Sequence, residues 1–386
     1  MSRTLHVIPA GTLDYRRLAE RRLPRFLFDY IDGGANDEVT LARNVADFQA
    51  IRVRPRVLVD VANVETATTL AGEPAAMPVI LAPIGMAGMM ARRGEAQAVR
   101  AADAAGLPFT LSTAGVCPLA EVRAAARRDF WFQLYMVRDR GAVRALLERA
   151  RATGCGTLVF TVDLAVLGMR HRDTRNGMTS GSLKARLARA RQIAARPGWL
   201  YDVGLRGRPH GLGILADAVP DVARLNAVRN WLATQFDASV TWKDIEWLRG
   251  IWPGKLLLKG LQEVEDGRAA VAVGADGVIV SNHGGRQLDG VASSVSKLPA
   301  MVDAVGTRLE VFVDGGVRSG LEVFKALALG ARGVLIGRPW IWAVAGAGEA
   351  GLVDLLATFK RELEIAMALA GVTRVSQIGR GLIDSG

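Results

Sequence analysis

The chain has 386 residues, 50% of them hydrophobic and 23% charged, a globular composition that excludes disordered and low-complexity classes. Its formal net charge of +11 raises nucleic acid and anionic lipid as partners. Only seven of the 49 basic residues are lysine and no run of five basic residues occurs, so nucleic acid is not expected and an anionic membrane surface fits better.

Residues 1–77 read as an N-terminal extension, with helices near 15–20 and 25–32. From residue 78 onward, short apolar runs recur at 78–82, 109–112, 131–135, 158–163, 255–259, 277–282, 310–314 and 333–337. They are almost continuously apolar, as strands buried on both faces of a parallel sheet are. Helical patterns separate them, for example at 95–105, 142–152, 264–273 and 321–329. Each of these stops at a glycine: Gly106, Gly154, Gly274 and Gly330. Eight strand–helix units predict a (β/α)₈ barrel, with an open doubly wound sheet as the alternative. The barrel takes 78–171 and 241–386 of a single domain. A long insertion, 172–240, follows the fourth strand and carries Trp199, Trp231 and a basic stretch at 184–196. It is expected over the barrel mouth.

Cys117 and Cys155 are the only cysteines. They supply neither a disulfide framework nor metal-ligand spacing, so a reducing compartment and no metal are expected. Residues 1–10 lack an apolar run and predict no signal peptide. The nearest apolar stretch, 339–347, is too short to span a bilayer, which leaves peripheral membrane contact.

In a barrel, the C-terminal strand ends build one site. The first strand ends in Pro83–Ile84–Gly85 and the second at Ser112. The third carries Gln133 and Tyr135. The fourth carries Thr161 and Asp163, with Arg170 shortly after. The fifth ends at Lys259. The sixth runs into Ser281–Asn282–His283–Gly284–Gly285–Arg286–Gln287–Leu288–Asp289. The seventh ends in Asp314–Gly315–Gly316–Val317–Arg318 and the eighth in Gly337–Arg338.

The sixth loop is the densest in chemistry. His283 can take a proton near neutral pH, Arg286 can hold a carboxylate, and the two glycines would let a flat ligand approach the backbone. Arg170 would complete the carboxylate clamp, Asp163 would orient the imidazole, and Tyr30 and Tyr135 are hydroxyl donors. After strands seven and eight, glycines and arginines predict a phosphate site, against the plainer reading of a tight turn. Lys259 at a buried strand end needs an anion or an electron-rich ring; a salt bridge across the mouth is the plainer account. Ser112, Gln133, Thr161 and Ser281 could bond the polar edge of such a ring.

The 281–289 loop resembles the active-site motif of the FMN-dependent L-2-hydroxy acid dehydrogenases and oxidases. The likeness extends over nearly the whole chain, through 23–30, 131–135, 160–163, 314–318 and 337–339. Stretches at 91–95, 110–118, 204–210 and 242–244 resemble the bacterial membrane-associated L-lactate dehydrogenase branch, and mandelate dehydrogenases resemble the chain less. The resemblance implies FMN as cofactor, His283 as base with Asp163 as its partner, and Arg170, Arg286, Tyr30 and Tyr135 around the substrate. It implies Pro83, Ile84, Gly85, Ser112, Gln133, Thr161, Lys259 and Ser281 on the flavin ring side. It implies Asp314, Gly315, Gly316, Val317, Arg318, Gly337 and Arg338 at the phosphate end. Family oxidases tend to carry alanine where Gly85 stands, which points to an acceptor other than oxygen. The implied activity is oxidation of L-lactate, or of a related L-2-hydroxy acid such as mandelate. The implied acceptor is a quinone at the cytoplasmic face of the bacterial inner membrane, and the implied assembly a homotetramer. The basic insertion would serve as membrane dock or simply as lid.

Overall fold

The computed structural model describes residues 8–215 and 237–384. The N-terminal extension forms helices α1 (Thr12–Arg22), α2 (Arg25–Asp32) and α3 (Val39–Ala50), then a hairpin of β1 (Thr68–Leu70) and β2 (Glu73–Ala75). Eight parallel strands follow: β3 (Val79–Leu81), β4 (Thr110–Ser112), β5 (Trp131–Leu134), β6 (Thr157–Thr161), β7 (Lys255–Leu261), β8 (Gly277–Val280), β9 (Glu310–Asp314) and β10 (Gly333–Ile336). They pair in the order β3-β10-β9-β8-β7-β6-β5-β4. The ends of that order meet where Leu81 N donates to Pro108 O at 3.0 Å and Leu81 bridges to Phe109 in parallel. The sheet is therefore a closed barrel, and the open doubly wound alternative falls.

Helices return the chain between strands. They are α4 (Ala87–Met90) and α5 (Gly94–Ala104), then α6 (Leu119–Ala125) and α7 (Arg140–Ala152). The insertion after β6 holds α8 (His171–Arg175), α9 (Leu183–Ala194) and α10 (Pro197–Trp199), which continues as a wide turn over Leu200–Leu205. Then come α11 (Trp242–Ile251), α12 (Val264–Ala272), α13 (Ser294–Val305), α14 (Gly320–Ala328) and α15 (Arg338–Leu369). Gly106, Gly154, Gly274 and Gly330 all stand at positive φ, between 67° and 102°. That left-handed conformation is what ends the helices before them.

The long apolar runs conceal an alternation of two. Ile80, Trp131, Val159, Leu257, Ile279, Phe312 and Leu335 form one buried cluster inside the barrel, joined from below by Leu70, Ala71 and Ala75 of the hairpin. Residues between them on the same strands, such as Phe132, Leu158, Phe160, Leu258 and Val278, belong to the larger cluster between sheet and helices. Both faces are apolar, so the period of two was invisible in hydrophobicity alone. Trp131 packs edge-on against Phe312 with centroids 6.3 Å apart, and its Nε1 donates to Glu73 Oε1 at 3.0 Å. The hairpin thus plugs the N-terminal end of the barrel.

The helix α15 is long and apolar enough to cross a bilayer by length and composition, yet half of that stretch is buried within the protein. It is broken at Gly348 (φ 71°) and packs on α1, α5 and α14, as a core helix does. Trp199 of the insertion is also buried, with Nε1 donating to Met89 O at 2.9 Å. It is a structural anchor and is not free to enter a membrane. Trp231 lies outside the described residues.

Candidate active site

Two residues beyond the apolar layer, the same inward positions turn polar: Gln133, Thr161, Lys259, Ser281 and Asp314. All five are buried, so each needs a partner. Ser112 Oγ donates to Gln133 Oε1, and Gln133 Nε2 donates to Thr161 Oγ1, both at 3.1 Å. Lys259 Nζ lies 2.8 Å from Asp314 Oδ2 and donates to Ser281 Oγ at 2.7 Å. Burial pulls the Lys259 ammonium down, but the Asp314 and Asp163 carboxylates outweigh it and hold its pKa above the ordinary value. The salt bridge across the mouth is real, and Lys259 still borders the cavity above it. Ser112, Gln133 and Ser281 do not line that cavity; they stand behind Thr161 and Lys259 and fix them.

The cavity measures about 1080 Å³. Its walls include Pro83, Ile84 and Gly85 after β3, Tyr135 after β5, Thr161 at the end of β6, and Arg170 beyond it. They continue through Lys259, His283 and Arg286 to Asp314, Gly315, Gly316, Val317, Arg318, Gly337 and Arg338, with Tyr30 from α2. The sequence reading placed these residues together, and the fold does so.

Three consecutive left-handed residues make the loop after β8: His283 (φ 58°), Gly284 (φ 64°) and Gly285 (φ 73°). A non-glycine residue in that region is strained and is held only where its surroundings over-determine it. Here Asn282 Oδ1 accepts from Gly285 N at 3.0 Å, and Asn282 exchanges side-chain hydrogen bonds with Asn44 of α3 at 2.8 and 2.9 Å. Asp289 caps α3 by accepting from Thr40 N at 2.8 Å. Gly285 serves packing, while Gly284 borders the cavity as well. A side chain at Gly285 would strike Leu41, and one at Gly284 would strike the Arg338 guanidinium. The Asn44–Asn282 pair escaped the sequence reading because 238 residues separate its members.

His283 Nδ1 stands 2.8 Å from Asp163 Oδ1. Asp163 is ionised: burial raises its pKa, but His283 and Lys259 more than reverse this and leave it below the usual carboxylate value. His283 is pushed the other way. Burial is the largest cause, Lys259 and Arg170 add to it, and Asp163 only partly offsets it, so the pKa falls below 6.5. At neutral pH the ring is therefore neutral, with Nδ1–H donated to Asp163 and Nε2 left as the basic atom. Gln287 Nε2 donates to Asp163 O at 2.8 Å and fixes that chain segment.

Arg170 and Arg286 lie side by side, with Arg170 Nε donating to Arg286 O at 3.4 Å. Their guanidinium carbons lie 6.0 and 5.1 Å from the Tyr30 ring centroid. Arg286 Nη1 donates to Gly33 O at 2.9 Å. Burial chiefly, with Arg170 and Arg338 adding to it, lowers the Arg286 pKa to about 9, the mark of cations gathered where an anion would relieve them. Burial first, then Asp163, pushes the Tyr135 hydroxyl upward, so it stays protonated and can donate. Asp173, absent from the expected set, also borders the cavity, with Oδ2 3.9 Å from Arg170 Nη1. The spacing Arg170–His171–Arg172–Asp173 was its available signal.

At the far end Arg318 stacks on Trp342 at 5.4 Å, and Nη1 donates to Val317 O at 2.8 Å. Burial lowers its pKa to about 10. Arg338 is differently employed: Nε, Nη1 and Nη2 donate to the carbonyls of Asp32, Gly284 and Gly33 at 2.8–3.1 Å. Its guanidinium ties the N-terminal extension to the β8 loop, while its backbone opens α15. Helix start, Arg318 and positive-φ Gly315 and Gly316 together suit a phosphate.

FMN fits this chain on three observations. The cavity runs unbroken from the phosphate cradle to His283. The buried oxygen Asp314 Oδ1, on a residue that lines the cavity, lacks a partner. A Cβ at Gly337 would come no nearer than 4.0 Å to any neighbour, so the cradle is open there. A barrel with glycines and arginines after β9 and β10, a buried lysine and a histidine–aspartate pair suits a flavin-dependent oxidoreductase.

The comparisons agree. The family model described as FMN-dependent dehydrogenase matches residues 19–385, and the chain belongs to that family. It is 55% identical over 377 residues to a protein named L-lactate dehydrogenase from Caulobacter vibrioides, covering 98% of each chain. It is 51% identical to one of the same name from Chromohalobacter salexigens, covering 98% of this chain and 96% of that one. Among solved structures it is similar to the monotopic membrane protein (S)-mandelate dehydrogenase, at TM-score 0.92 and 35% identity, over 98% of this chain and 100% of that one. A mandelate oxidase matches at TM-score 0.82 and 36% identity, with 98% of each covered.

Proposed function

We propose that this enzyme oxidises L-lactate to pyruvate, with FMN as first electron acceptor and a respiratory quinone as second. The observation that carries the reading is the His283–Asp163 pair set beside Arg170, Arg286, Tyr30 and Tyr135. FMN, when bound, supplies the two-electron acceptor. Arg170 and Arg286 hold the substrate carboxylate, and Tyr135 donates to the oxygen on the reacting carbon. His283 takes a proton at Nε2, and Asp163 stabilises the imidazolium so formed. Lys259 places positive charge beside the ring edge, and Arg318 holds the phosphate. The lactate substrate follows the naming of relatives at 50–55% identity over nearly the full chain; mandelate-acting neighbours are more distant.

Gly85 supports the acceptor assignment. A Cβ there would come within 3.0 Å of Ala114 Cβ and 3.5 Å of the Tyr30 hydroxyl, crowding the cavity wall on the flavin side. Peripheral attachment to the cytoplasmic face of the bacterial inner membrane is supported by the insertion. There Leu183, Leu187, Leu200, Tyr201 and Leu205 are exposed among Lys184, Arg186, Arg191, Arg206 and Arg208. Exposed Val57, Leu58 and Val59 support self-association, and sedimentation tests the expected homotetramer.

The test is anaerobic mixing of FMN-loaded enzyme with a panel of L-2-hydroxy acids including mandelate, followed by a quinone or by oxygen. L-lactate should bleach the flavin fastest and the quinone restore it faster than oxygen. Preference for mandelate would replace the substrate, and preference for oxygen would replace the acceptor.

A further inference from the structure

The cavity extends past the groups that the reaction uses. At about 1080 Å³ it exceeds the range for a single-ligand pocket, about 300–1,000 Å³, and it has to hold FMN as well as the three-carbon L-lactate. Part of its wall belongs to no group in the proposed chemistry. Beyond Tyr30 and Ile84, the wall passes to Phe26 and Leu27 of α2, Met89 of α4, and Ile193, Trp199 and Leu212 of the insertion. This lobe is apolar, and its few polar members include His210, whose Nε2 is engaged with Val203 O at 2.8 Å. Leu200 belongs to the lobe yet is 37% exposed. Its neighbours along the chain, Tyr201 and Leu205, are exposed as well.

Resting on the acceptor reading above, we propose that this lobe is the binding site for the ring of the quinone. A flat, largely apolar ring matches a chamber whose walls are mostly apolar, with Thr179, Arg189 and His210 among the polar residues of the insertion that line it. Continuity with the flavin space puts donor and acceptor in one enclosure. Leu200 at the outer edge lets a lipid-soluble molecule enter from the surface that carries the exposed leucines. The transfer would balance as two electrons and one proton taken by the quinone from FMN in its reduced form, with the second proton of the quinol drawn from solvent.

The test uses FMN-loaded enzyme and a short-tailed benzoquinone, ubiquinone-1. Leu200→Trp and Ile193→Trp each fill the lobe from a partly exposed position. Anaerobic flavin reduction by L-lactate should stay within about twofold of the parent in both, while reoxidation by ubiquinone-1 falls at least about tenfold. A readout independent of turnover is the quenching of tryptophan fluorescence by ubiquinone-1 in the oxidised enzyme, which should diminish in Trp199→Phe. Parent-like reoxidation in both filled variants, or quenching unchanged by Trp199→Phe, overturns the site. Variants that alter the KM for lactate or mandelate and leave reoxidation alone would assign the lobe to the substrate instead. Failure of ubiquinone-1 to reoxidise the parent enzyme removes the acceptor reading itself, an outcome distinct from loss of the site alone.

Discussion

The two ends of the barrel are built from the same strands and behave as opposites. On the lower side Ile80, Trp131, Val159, Leu257, Ile279, Phe312 and Leu335 meet the plug of Leu70, Ala71 and Ala75. Two positions higher, Gln133, Thr161, Lys259, Ser281 and Asp314 replace them with donors, acceptors and charge. The lower layer is held by close packing, with the Trp131 Nε1 bond to Glu73 as its side-chain hydrogen bond to the hairpin. The upper layer is buried too, and stays together because its members bond one another, with Asp314 Oδ1 left buried and without a partner. A single alternation thus separates what holds the barrel from what works in it.

That separation can be broken from either side. The largest effect should come from His283→Gln, which removes the basic nitrogen. Flavin reduction by L-lactate in single-turnover mixing should slow by about 10³- to 10⁴-fold, with FMN still bound and the melting temperature little changed. A loss below tenfold would mean that His283 is not the base. From below, Trp131→Ala should cost about 3–5 kcal/mol of stability by urea unfolding, while the surviving folded enzyme keeps its KM. A changed KM with little lost stability would show that the two layers are coupled.

Asp163→Asn should slow reduction by about 10²- to 10³-fold and shift the pH profile. His283 must be unprotonated to act, so kcat/KM falls as pH drops through its pKa, which lies below 6.5. Asp163 is the main influence raising that pKa. Its removal should move the acid limb to still lower pH, and movement the other way would refute the pair. The smallest effect belongs to Gly85→Ala. Ala114 must yield by a few tenths of an ångström, at about 1 kcal/mol of stability, and the oxygen-to-quinone activity ratio should rise. An unchanged ratio would remove Gly85 from the acceptor argument.

The sequence made much of this legible. The eight apolar runs coincide with β3 to β10, and the polar residues that close them converge on one cavity. Strand ends are readable because a barrel sends all of them to the same place. What stayed hidden were contacts between distant segments. Nothing in Asn44 announces a bond to Asn282. Gly285 reads as a ligand-approach residue until Leu41 is found against it. Nothing in Arg338 announces that its guanidinium bonds three carbonyls. Inward and outward positions were equally hidden, because both faces of each strand are apolar.

The embrace of the β8 loop by the N-terminal extension has a consequence for the order in which the molecule is made. Residues 33–48 leave the ribosome first, yet the groups they press on, Asn282, Gly285 and Gly316, are made more than two hundred residues later. During synthesis those first helices have no partner for much of their surface. The left-handed turn at His283 gains their support only when they fold back onto it, so an N-terminally clipped chain loses one brace of the base while its strands remain.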